Sequence, residues 1–185
     1  MPVALLGWVA SAVLVASLCV PVPLRAALDA DEYAVKAAFL YQFTQFVEWP
    51  ADSFADAGSP IVLAVLGSDP FGESLKRATE GRTGQGRPIV VRYLKPGQSL
   101  RSCHILFVSA SEEARIPDLL RTVGPASILT VGDSSGFAEA GGMLNFVVDA
   151  ARIKFEVNIG AAERGRVRIS SKLLKLASIV DRGRR

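Results

Sequence analysis

Histidine and cysteine are nearly missing from this chain: 185 residues hold one histidine, His104, and two cysteines, Cys19 and Cys103. With no second His to join it, His104 completes no His/Cys metal site. Cys103 and His104 are neighbours in an apolar strand, where consecutive side chains point apart, so they do not converge as a nucleophile and its base. His104 therefore reads as structural. Strong charge of either sign is also missing. The net charge is +3 and the basic residues are scattered, so nucleic acid is not implied. Arg182, Arg184 and Arg185 read as a solvated end. The glycine-rich stretch 81–88 lacks the Lys-Ser/Thr ending of a phosphate loop and leads into a strand, so a mobile hairpin-like loop is expected there.

Only one hydrophobic run is long. VALLGWVASAVLVASLCV begins at position 3, and Leu24-Arg25-Ala26 offers a small residue at a cleavage point. Residues 1–26 read as a signal peptide and 27–185 as the exported domain, although no Lys or Arg precedes the run. An uncleaved anchor is the alternative, since the run is near the lower limit for spanning a bilayer. Cleavage takes only Arg25 from the charged residues and leaves Cys103 as the one thiol, which excludes an internal disulfide. Its place at the head of CHILFVS favours burial.

The stretch 128–158 organises the rest. Ile128 to Val131 is a short apolar run that stops at Gly132-Asp133, and two β-prone runs follow, separated by Asp149-Ala150-Ala151. The pattern is strand, loop, hairpin. In the last strand Ile153, Phe155, Val157 and Ile159 alternate with Arg152, Lys154, Glu156 and Asn158, which marks it as half buried. The strand before it, 143–148, is apolar except for Asn145, a polar group that needs partners if buried.

Upstream, residues 31–49 contain no Gly or Pro, open with two acids and close before Pro50, as a five-turn helix would. Val35, Phe39, Phe43 and Phe46, flanked by Leu40 and Val47, form an aromatic stripe that suits core packing; a groove for a partner helix or an apolar ligand is the alternative. Residues 61–67 form a buried strand, with Asp69 as cap and Pro70 as first residue of a helix to about Thr79. Residues 89–94 and 103–108 are further strands. Ser109 and Glu112 make a capping box for a helix to about Val123. At the end, Ser170 and Ser171 cap a helix, KLLKLASIV, whose Leu173, Leu176, Ala177 and Val180 share a face.

Strand and helix in this rhythm predict a single α/β domain with a mixed, mostly parallel sheet, helices packed on it, and a C-terminal antiparallel hairpin plus helix. The C-terminal strand ends then share one edge, where open α/β sheets bind ligands. Ser68, Ser109, Asp133, Ser134 and Asn145 are the binding candidates, while Ser and Asp at helix starts also serve simply as caps. Asp133 and Asp149 could act as paired carboxylates, but nothing in the spacing fixes their separation, and acids beside glycine in loops are usually turn formers. No catalytic residue, metal or cofactor is expected.

The blocks KAAFLYQFTQFVEWP (36–50), VLGSDPFG (65–72), CHILFVS (103–109), LTVGDSSGFAEAGGMLNFV (129–147) and ISSKLLKLASIV (169–180) together resemble the YfiR-like family of periplasmic signalling repressors. The resemblance implies an exported α/β domain that restrains a membrane-bound diguanylate cyclase through that enzyme's periplasmic domain. It also implies release by an OmpA-like outer-membrane lipoprotein, and hence an effect on cyclic di-GMP and biofilm. Redox control through an internal disulfide does not carry over to a chain whose exported part has Cys103 alone. Small-molecule binding at the strand-end loops is the alternative function, and a homodimer through the aromatic or terminal helix is left open.

Overall fold

The computed structural model describes residues 24–150 and 152–180, with side chains from residue 31 onward. The signal-peptide expectation lies outside the described residues except for positions 24–26, and so does the arginine-rich end. Helix α1 (Leu24–Phe46) is followed by strands β1 (Val47–Glu48) and β2 (Ile61–Leu66), helix α2 (Glu73–Thr79), and strands β3 (Thr83–Gly84), β4 (Arg87–Leu94) and β5 (Ile105–Val108). Then come α3 (Ile116–Val123), β6 (Leu129–Gly132), β7 (Leu144–Asp149), β8 (Arg152–Val157), α4 (Ile159–Arg164), β9 (Arg168–Ile169), α5 (Ser171–Leu174) and β10 (Ser178–Ile179).

One sheet holds eight strands in the order β10-β8-β7-β6-β5-β2-β4-β3. Strands β4, β2, β5, β6 and β7 are mutually parallel, and β8 returns antiparallel to β7. The expected α/β class and the closing hairpin are therefore present. Crossovers from β2 to β4 and from β5 to β6 run in opposite directions along the sheet, so right-handedness puts α2 and α3 on opposite faces. The core divides accordingly. Ala37, Leu40, Phe43, Leu63, Phe107 and Val131 pack on the α1 side, and Val62, Ala64, Leu106, Val123 and Phe137 on the α3 side. Strand β2 is buried along its whole length, as an uninterrupted apolar run with helices on both faces requires. Phe137 closes the α3 side so tightly that a Cβ on Gly142 would lie 2.1 Å from its ring.

Several boundaries differ from the sequence expectation, each for a local reason. Helix α1 ends at Phe46 because Val47 and Glu48 extend to pair with β9, and Trp49, preceding a proline, is biased away from helix. The Gln85 side-chain amide donates to the carbonyls of Thr44 and Val47 that this leaves free. Val35 is exposed; the buried line is Lys36, Ala37, Leu40, Phe43, Thr44 and Val47. Helix α2 starts at Glu73. Asp69 caps only the Phe71 N–H at 2.9 Å, and Phe71 turns into the core against Phe107 before the helix begins. After Ser109 the chain makes a 3₁₀ stretch, Ala110–Arg115, and α3 starts at Ile116, where Pro117 fits the first turn.

The largest departure is at the C-terminal end. The helix expected over KLLKLASIV is one turn, α5, capped by Ser170, after which Ser178 and Ile179 pair with Glu156 and Val157. Backbone pairing with β8 overrides helical spacing here, and Leu176, expected on a docked face, stands 69% exposed. Strand β8 ends at Val157, and Asn158 caps α4, which was not expected. The region 81–88 is the expected hairpin, closed by Gln85 and Gly86, both at positive φ.

Candidate functional site

Asp133 follows directly after β6 and is carried to the α1 side of the sheet. Its Oδ2 accepts from the Tyr33 hydroxyl at 2.8 Å and from Lys36 Nζ at 2.9 Å. Lys36 also pairs with Glu32 at 2.6 Å, one turn back on α1, and its ammonium lies 4.3 Å from the centre of the Tyr33 ring. The Lys36 and Asp133 side chains are 4% and 3% exposed, so this ion pair is shut away from water. Asp133 Oδ1 and Ser134 Oγ are buried with no protein partner. Glu32, Tyr33 and Lys36 were not among the candidate residues, yet a lysine in the buried line at α1 spacing is a readable signal that a charge partner must come from elsewhere.

The other candidates do not join Asp133. Asn145 stands opposite Gly132 in the register and faces the α3 side, because Leu144 and Phe146 on either side of it face α1. Its Nδ2 donates to Glu156 at 3.1 Å, and its Oδ1 has no protein partner. Ser68 is exposed, and its backbone N–H donates to Ser111 Oγ at 2.9 Å. Ser109 Oγ accepts from the Ser111 N–H, as a cap does. Gly67 (φ +93) permits this closure over the end of β2: a Cβ there would meet Ser111 Oγ at 2.4 Å. The five residues share a sheet edge but are divided between its two faces. Asp149 lies four residues along β7 from Asn145, roughly 13 Å by the strand rise, so it makes no carboxylate pair with Asp133.

His104 is fixed at both ring nitrogens. Nδ1 accepts from the Val62 N–H at 3.1 Å and Nε2 donates to the Ser53 carbonyl at 3.1 Å, which selects the neutral ring. Phe54 stacks on it at 4.4 Å, with the Arg87 guanidinium 3.8 Å above Phe54. Burial holds the imidazole below its ordinary value, with Arg87 adding to the effect against the Ser53 hydrogen bond. The unfolded chain therefore takes up the proton first, so this stability is complete above the ordinary value of 6.5 and is lost as pH falls below it. We expect the urea midpoint to drop between pH 8 and pH 5, and to drop less in His104→Asn; equal slopes would remove His104 as the cause. Cys103 is buried, and burial pushes its thiol up against the opposing pull of Arg92. Among the described residues no three His, Cys, Asp or Glu side chains cluster to hold a metal ion.

The β4-to-β5 crossover carries no helix. A groove of about 770 Å³ remains between residues 96–101 and α3, with Leu66, Leu100, Leu119, Val123 and Ile128 among its lining and Glu112 and Arg115 at one side. No helix among the described residues is long and apolar enough to cross a membrane.

A family model described as YfiR/HmsC-like matches residues 33–178, from the tyrosine that contacts Asp133 to the last strand of the sheet. Comparison with curated proteins gives no match.

Proposed function

We propose, from this chain's membership of the YfiR/HmsC-like family, that it is a periplasmic regulator of cyclic di-GMP signalling. In this reading it restrains a membrane-bound diguanylate cyclase by occupying that enzyme's periplasmic sensor domain. The family match over 33–178 is the observation that carries it. The geometry is in keeping with a binding role: His104 is held at both nitrogens, Cys103 is a buried thiol with a raised pKa, and Asp133 Oδ2 is engaged by Lys36 and Tyr33. Restraint of an enzyme by a bound protein requires different affinities for its active and inactive states. Moving a population from mostly one to mostly the other needs a ratio of about 10⁴. An OmpA-like outer-membrane lipoprotein that binds the regulator would relieve the restraint by mass action.

Deleting the gene should raise cyclic di-GMP and surface attachment, and the exported chain should co-purify with the cyclase's periplasmic domain. Unchanged nucleotide levels after deletion would overturn the proposal. A second reading, small-molecule binding, is favoured by the groove beside α3. A ligand-induced rise in melting temperature that Leu119→Asp abolishes and Ser68→Ala leaves intact would place the ligand there and not at the strand-end serine.

A further inference from the structure

Strand β10 covers only the last two residues of β8, pairing Ser178 with Glu156 and Ile179 with Val157. Residues 152–155 are paired on their inner side with β7, and on their outer side the parallel register of β10 reaches only the Phe155 carbonyl, with no strand among the described residues pairing with 152–154. β10 runs parallel to β8, and the Val180 N–H donates to the Val157 carbonyl at 2.8 Å, past this gap. Alternate residues of such an edge present N–H and C=O groups outward, ready for another strand. Exposed apolar side chains lie towards both ends of this edge: Val148, 56% exposed, stands opposite half-buried Ile153, and Ile179, 51% exposed, stands opposite Val157 four residues along β8.

We propose that this free edge of β8 takes up an extended segment of a partner protein in which apolar and acidic residues alternate. The two faces of the edge dictate that pattern. Ile153 and Phe155 face the α1 side, where an added strand would find apolar neighbours; Arg152 and Lys154 face the other side and call for carboxylates opposite them. Lys154 is held at 2.5 Å by Asp149, but both are at least half exposed, so the pair is worth little and can exchange partners.

A second copy of this chain fits poorly. Antiparallel pairing of β8 with itself about a two-fold axis normal to the sheet sets Arg152 against Lys154, or Lys154 against Lys154, and like charges directly opposite are destabilising. A lipid surface offers no directional partner for outward backbone groups.

The inference rests on the reading of the chain as a binding protein, and its test is independent of any cyclase. The isotope-labelled chain would be titrated with a blocked hexapeptide of alternating valine and glutamate, with the same peptide carrying lysine for glutamate, and with phosphatidylglycerol vesicles. Binding of the glutamate peptide alone, with slowed amide exchange confined to residues 152–155, is expected. The double variant Arg152→Glu/Lys154→Glu should weaken that peptide tenfold or more and admit the lysine peptide. Equal affinity for both peptides, no change on charge reversal, or binding of vesicles alone would overturn the proposal. Failure here with a cyclic di-GMP response intact removes the edge and leaves the regulator; the reverse result leaves a strand-binding module with a different partner.

Discussion

Lys36→Met is expected to cost the chain about 3–5 kcal/mol, the range for breaking a buried ion pair by removing one partner. Methionine matches the lysine stem in length and fills the same space, so little of the loss comes from a cavity. What remains is a carboxylate at Asp133, 3% exposed, with the Tyr33 hydroxyl as its donor and Oδ1 still without a protein partner. Asp133→Asn should cost less, because Glu32 continues to neutralise Lys36 at 2.6 Å. Combining Lys36→Met with Asp133→Leu should recover much of the loss, since a buried pair replaced by apolar groups of similar volume is often neutral. Urea midpoints of the two single variants and the double variant give the coupling directly. A cost below about 1 kcal/mol for Lys36→Met would mean that water reaches the pair and that it does not tie α1 to the sheet edge.

That network also shows where the sequence stops being readable. Residues 61–67, 103–108 and 128–131 are short apolar runs bounded by turn-forming residues, and they became β2, β5 and β6 within two residues at either end, because burial on both faces leaves no other reading. The binding candidates came from the same logic, since small polar residues at strand ends are conspicuous. Their partners were not: Asp133 and Lys36 are 97 positions apart, and only the topology brings them within 2.9 Å. Helix α4 is six residues long, too short for a 3.6-residue period to speak, and its signal is the single cap at Asn158. The segment read as a terminal helix has the right spacing, but Ile179 and Val180 are β-branched and the open edge of β8 offered them backbone partners. Local pattern proposes, and an unpaired strand decides.

Phe43→Ala is the substitution that reaches from α1 to that edge. The ring is fully buried, stacked on Phe146 at 5.8 Å and set edge-on to Phe155 at 5.5 Å, so it joins α1 to both strands of the closing hairpin. Truncation removes the transfer free energy of a buried aromatic and leaves a void that strands held by a ladder cannot close, a combination that costs about 3–5 kcal/mol. Against a total stability of about 5–15 kcal/mol the variant should unfold at a much lower urea concentration with an unchanged slope. Phe39→Ala, at a half-buried ring that touches the same two strands, should cost less. Amide exchange distinguishes a local from a general loss: β7 and β8 should open sooner in Phe43→Ala, while β2, packed from both faces, keeps most of its protection. A cost under about 1.5 kcal/mol, or loosening spread evenly over the sheet, would show that the hairpin does not hang on this ring. The strand edge at residues 152–155 would then need another source of rigidity.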